Sequence, residues 1–261
     1  MKRAEKAIIK KDIRGITSNR RLFSALWIVP LALTVVLPSI FVCAAHFAPD
    51  DPDVLALLEL LPGAANTESV ELAIAGIIFN YILPAFFLMI PIMTASVMAA
   101  SAFVGEKEKH TLETLLYCPL SVKEIFRAKV LASFLLSMLV SLVSFAAMLT
   151  VLELEAVFLM GSPLLPGGGW VIVLFLLSPA VSLIAVTLIV RNSARAQSVE
   201  ESQQSAVFLI IPVILLVVGQ FAGVMILNVW ILLGLSIVCV LLAWILLQRA
   251  VKRFTYEMLL K

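Results

Sequence analysis

All 19 lysines and arginines fall in four short segments, 2–21, 107–129, 191–195 and 249–261, separated by long apolar runs. A charge at the centre of a bilayer costs about 3 kcal/mol or more, so a chain patterned in this way crosses a membrane through its apolar runs. The stretches 48–74 and 153–168 hold no cation and carry Asp50, Asp51, Asp53, Glu59, Glu68, Glu71, Glu153 and Glu155 instead. Cytoplasmic loops are the ones enriched in Lys and Arg, which puts the four basic segments inside and the two acidic loops outside. Six spans with both termini inside satisfy every charged segment, whereas five would leave one basic end outside. Composition agrees with this class: 62% of the 261 residues are hydrophobic, 14% are charged, and the mean hydropathy is +1.10. The expected fold is therefore an all-α membrane protein with six transmembrane helices.

Taken in order, 1–21 is a basic amphipathic helix with Ile9, Ile13 and Ile16 on one face and Arg3, Lys6, Lys10 and Arg14 on another. Such a helix lies in the headgroup layer and serves as an anchor or as an elbow bracing the inner loops. The spans are expected at 22–45, 75–104, 130–152, 169–190, 207–227 and 230–248. Pro30 and Pro38 mark candidate kinks in the first. The stretch 73–104 exceeds the roughly 20 residues a crossing needs, and Pro84 and Pro91 interrupt it. It reads as one steeply tilted helix or as an outer re-entrant piece followed by a span. In the outer loop, 53–61 has the pattern of a short interfacial helix ended by Pro62. Ser198 and Glu201 have capping-box spacing ahead of the fifth span, and the last two spans turn near Asn228.

The polar island 105–130, GEKEKHTLETLLYCPLSVKEIFRAKV, lies between the second and third spans. Leu112, Leu115 and Leu116 stand at i, i+3 and i+4, giving a short helix one apolar face, with Glu113 and Thr114 opposite. Pro119 ends that helix, and Ser121 with Glu124 forms an S-x-x-E box that starts the next one just before the apolar run. A push on the first helix would pass into the second and hence into a span. The plainer alternative is a solvated loop with a chance capped helix.

Glu106-Lys107-Glu108, Thr111-Leu112-Glu113, Leu115-Leu116, Pro119-Leu120-Ser121, Glu124-Ile125 and Lys129, in that order, resemble the signature of ABC-2 type transporter permeases. That resemblance implies a membrane-spanning subunit of an ATP-driven exporter, in a bacterial cell (plasma) membrane. It implies that 106–129 is a coupling segment docking on a separate ABC ATP-binding subunit, present in two copies, which carries the ATP and Mg. A second permease subunit, identical or homologous, would complete the path. The resemblance makes Glu106, Glu108, Thr111, Leu112, Glu113, Leu115, Leu116 and Pro119 the candidate coupling residues.

Other chemistry is sparse. No G-x-x-x-x-G-K-[ST] occurs, so the chain is expected to hold no cofactor and not to be an enzyme by itself. His46 and His110 lack partners at metal-ligand spacing, and Cys43, Cys118 and Cys239 are scattered, so neither a metal site nor a disulfide framework is expected. Glu200-Glu201 and Ser162 do not fit catalytic patterns, and no catalytic constellation is found. Nothing points to nucleic acid; lipid is the expected surrounding. Asn80, Thr94, Ser96 and Gln220 are the candidate translocation-path residues, although packing between helices is the commoner role of such groups. Two readings from other classes stay open: an ion-gradient-driven carrier, and a non-transporting membrane scaffold or sensor component. Peptides, drugs, lipids or sodium would all suit the family as cargo, and the lack of intramembrane charge leans towards an apolar or amphipathic one.

Overall fold

The computed structural model describes residues 3–47, 70–108, 111, 120–193, 196, 198–204, 206–221 and 228–253. Among them every regular element is helical. The helices are α1 (Arg3–Ser18), α2 (Arg20–Phe47), α3 (Val70–Ile77), α4 (Leu83–Phe87), α5 (Met89–Glu108), α6 (Val122–Glu155), α7 (Gly168–Ile172), α8 (Ser178–Ser193), α9 (Val199–Gln204), α10 (Val207–Phe221) and α11 (Val229–Arg253). Three π-helical segments, Ile78–Ile82, Ala156–Met160 and Val173–Leu177, join α3 to α4, extend α6 and join α7 to α8.

Six helical runs are long and apolar enough to cross a bilayer: Leu22–Ala44, Glu71–Glu108, Val122–Met160, Gly168–Ser193, Val199–Gln220 and Val229–Lys252. The all-helical, six-span class expected from the charge pattern is what the chain folds into. The second run, covering 73–104, is one helical stretch of 38 residues, with a π segment and a turn at Leu88. At 1.5 Å per residue it is roughly 57 Å long, well beyond the hydrocarbon thickness. The third run, of 39 residues, also extends past the apolar stretch at both ends. Hydropathy marks only the part that must sit in lipid, whereas the helix continues through polar residues until a cap ends it.

The centre of the bundle is α5, which packs against both α6 and α8, while α2 lies along α6 and α11 along α8. Small residues on α5 make this possible: Ala95, Ala99 and Ala100 are fully buried and let neighbouring helices approach closely. By contrast α10 and α11 expose apolar side chains on much of their circumference, including Phe208, Leu215, Trp230 and Leu241. α2 continues through both Pro30 and Pro38, and the Thr34 hydroxyl donates to the Pro30 carbonyl at 2.8 Å. The expected interfacial helix at 53–61, most of the outer turn before Asn228, and the tail beyond Arg253 lie outside the described residues.

The amphipathic helix expected at the start of the chain is α1. Its apolar side, Ile8, Ile9 and Ile13, packs on Ile125, Ala128 and Ala132 near the beginning of α6. Lys6, Lys10, Lys11 and Arg14 are exposed on its other side. The bundle thus has a basic end, where α1 meets the end of α5 and the start of α6. At its opposite end His46 of α2 meets Glu71 of α3, Nδ1 to Oε2 at 2.8 Å.

Candidate functional site

The local structure around the polar island is set by its caps. Ser121 has the extended backbone of an N-cap (φ −69°, ψ 151°), and its Oγ accepts from the Glu124 amide. Glu124 Oε2 in return accepts from the Ser121 amide at 2.9 Å, so the box read from S-x-x-E is formed. On the other side, α5 ends at Glu108, and the Thr111 amide donates to the Glu106 carbonyl at 2.9 Å. The Thr111 amide thus satisfies a carbonyl left over in the last turn of the central helix, and Thr111 is exposed. Glu108 is also exposed. Leu112, Glu113, Leu115, Leu116 and Pro119, and with them the expected short helix, lie outside the described residues.

Glu106 is different: it is 7% exposed and turned into the bundle. Its Oε2 faces Lys129 Nζ of α6 at 2.8 Å, and Lys11 Nζ of α1 donates to its Oε1 at 2.5 Å. Lys129 is only 2% exposed. Its ammonium also donates to the Ala102 carbonyl at 2.5 Å, lies 3.7 Å from Asp12 Oδ2 of α1, and stands 5.5 Å from the Phe103 ring centre. Two acids and two lysines from three helices therefore meet beneath the ends of α5 and α6. Asp12 lies outside the spans, and burial pushes its carboxyl above the ordinary 3.8; Lys129 pulls it down and Glu106 pushes it further up.

Lys129 enters the sequence reading only as one letter of the resemblance, and Asp12 and Lys11 do not enter it at all. A signal was nevertheless present. Asp12 stands four residues after Ile8 and four before Ile16, so it is an acid on the apolar stripe of α1. Lys129 likewise follows Ile125 by four on the buried side of α6. An ionisable group on an apolar face needs an opposite charge across the contact.

The path candidates sit at two other levels. Thr94 and Ser96 are buried on α5 and bond back to the Ile90 and Ile92 carbonyls at 2.7 and 2.6 Å. Thr94 also reaches Ser137 Oγ at 3.1 Å, Ser182 of α8 reaches the same Ser137 oxygen at 3.0 Å, and Ser137 donates to the Pro91 carbonyl at 3.1 Å. One hydroxyl of α6 thereby links α5 and α8 inside the bundle.

Nearer the acidic end, Asn80 and Gln220 serve the π segment Ile78–Ile82. A π turn displaces backbone carbonyls from ordinary α partners, and they must find donors inside the protein. Gln220 Nε2 of α10 donates to the Tyr81 carbonyl at 2.6 Å, and Trp170 Nε1 of α7 to the Phe79 carbonyl at 3.1 Å. Asn80 Oδ1 accepts from the Gly167 amide at 2.6 Å, which ties the turn before α7 to the central run. A Cβ on Gly167 would stand 2.9 Å from that oxygen, so any larger residue here would displace the Asn80 amide. The structure thus brings Thr94 into a hydroxyl network and engages Asn80 and Gln220 with neighbouring backbone; it does not bring the four candidates into one lined path.

Among the described residues no group of three His, Cys, Asp or Glu could hold a metal ion. At the basic end three helices are held together by charge pairs on either side of 109–119. Residues 65–233, well over half of the chain, match the family model described as ABC-2 family transporter protein. No curated protein matches the chain, and neither does any solved structure.

Proposed function

The chain belongs to the ABC-2 transporter family, as a multi-pass permease of an ABC transporter that associates with an ABC ATP-binding subunit, and on that premise we propose that it forms the path of an ATP-driven exporter and is moved through 106–129. Its basic end faces the cytoplasm of a bacterial cell, where two ATPase subunits carrying ATP and Mg dock. A second permease subunit, identical or homologous, completes the path. The chain itself catalyses nothing.

One observation carries the coupling. The helices on either side of 109–119 are held to each other and to α1 by the Lys129–Glu106 and Lys11–Glu106 pairs. A load on the short segment is then borne by α5, α6 and α1 together rather than absorbed by hinge motion between them. Since α5 is the central helix, tilting it repacks the whole bundle, the kind of rigid-element change that alternates access. In this reading Glu106 supports the docking segment from behind, and Glu108, Thr111 and the 112–119 stretch meet the ATPase. The spans lined by neutral groups favour an apolar or amphipathic cargo over a bare cation.

The test is a complex reconstituted in vesicles with its ATPase. Glu113→Ala and Leu115→Asp should abolish ATP-dependent export while leaving insertion and helical content unchanged. Normal export by both variants would sink the coupling role. Transport by this chain alone under an ion gradient would instead establish the carrier reading.

A further inference from the structure

A cavity of about 480 Å³ opens between α6, α8 and α11 near the basic end. Its inner part is apolar, with Phe134, Leu183 and Trp244 among its walls, while Arg127, Gln248 and Lys252 line its other part. Trp244 and Lys252 are eight residues apart on α11, so the cavity reaches roughly 12 Å along the helix from the depth of Lys252. No acidic residue lines it, and neither Arg127 nor Lys252 is in an ion pair among the described residues. Both cations are exposed, and side chains of this kind lay their stems along apolar surface while the charge stays in water.

We propose that this groove is a binding site for an anionic phospholipid of the leaflet at the basic end, with an acyl chain against Phe134, Leu183 and Trp244 and the phosphate on Arg127 and Lys252. Three observations select this occupant. The size lies within the roughly 300–1,000 Å³ of pockets that enclose a bound molecule. Both cations lie towards one end and no carboxylate accompanies them, which matches a molecule with a long apolar body and one negative head. The cations belong to the end of the bundle that carries the exposed lysines of α1, the level of the headgroups. A soluble phosphate would use the cations but leave the aromatic walls uncovered, and a neutral lipid would use the walls but not the cations. Because α6 carries Lys129 on one side and Arg127 on another, a lipid held here braces the pinned helix from its outer face.

The experiment is native mass spectrometry of the purified full chain, offered phosphatidylglycerol or phosphatidylcholine with matched acyl chains. The native chain should retain phosphatidylglycerol preferentially. Arg127→Gln or Lys252→Gln should each weaken retention about fivefold, and the pair roughly thirtyfold, since each cation near a membrane surface contributes about 1 kcal/mol. The charge-keeping Arg127→Lys with Lys252→Arg should retain the preference, and Val251→Trp should reduce retention with both cations present by filling the groove. Equal retention of phosphatidylcholine, or an unchanged count in the double Gln variant, overturns the proposal. So does competition by glycerol phosphate as effective as that of the lipid. A Val251→Trp variant that keeps its lipid in full overturns the groove as the site.

Discussion

At the scale of single residues, Lys129 does the most with the least exposure. An ammonium taken out of water is tolerable only with close counter-charges, and Glu106 and Asp12 supply them. Lys129→Met should therefore lower stability by about 3–5 kcal/mol, because it leaves the buried Asp12 carboxylate without its counter-charge and Glu106 with Lys11 alone. Thermal unfolding of the detergent-purified chain measures this, and adding Glu106→Gln to Lys129→Met should return part of the loss. Asp12 makes a second prediction. Its pKa is raised on folding, so its contribution to stability is present in full below the unfolded value of 3.8 and is lost as pH rises through the folded one. Melting temperatures of the native chain and Asp12→Asn should diverge in favour of the native chain as pH falls through that window. Parallel curves would mean that Asp12 is not desolvated. The burial of both residues was legible in helical spacing; the pairing was not, because Lys129 and Asp12 are far apart in sequence and meet only across a helix contact.

At the scale of elements, some features follow from local chemistry and others from neighbours. The capped start of α6 is local: a Ser and a Glu three residues apart satisfy each other's amides wherever they occur before a helix. The amphipathic character of α1 is equally local. The π segment Ile78–Ile82 is not. Asn80 and Gln220 stand out in the sequence as amides in apolar runs, yet their service to the displaced Tyr81 carbonyl and to the Gly167 amide depends on α10 and the turn before α7 being where they are. Gln220→Leu keeps the volume and removes the donor, leaving the Tyr81 carbonyl without its partner in a dry environment. The expected loss is about 1–3 kcal/mol, read from thermal unfolding. Ser137→Ala should cost less, about 0.6–1.7 kcal/mol, since hydroxyl bonds between membrane helices are individually weak. If Gln220→Leu is neutral, the π segment does not rely on that amide.

At the scale of the whole molecule, orientation is the property on which coupling depends. An impermeant maleimide applied to intact cells should label Leu165→Cys, whose position is exposed in the turn ahead of α7, and should reach Cys118 only after permeabilisation. Labelling of Cys118 from outside would remove the segment from any cytoplasmic motor. The sequence by itself determined the helical class and the six runs apolar enough to cross a bilayer, because the costs of charge and of unpaired backbone in lipid are one-body terms that each segment meets alone. The tertiary structure decided which helix is central and which polar groups face one another. It turned Glu106 inward to Lys129, gave Gln220 to the Tyr81 carbonyl, and left the groove of α6, α8 and α11 open. Those are pair terms, and their sign depends on partners brought from elsewhere in the chain.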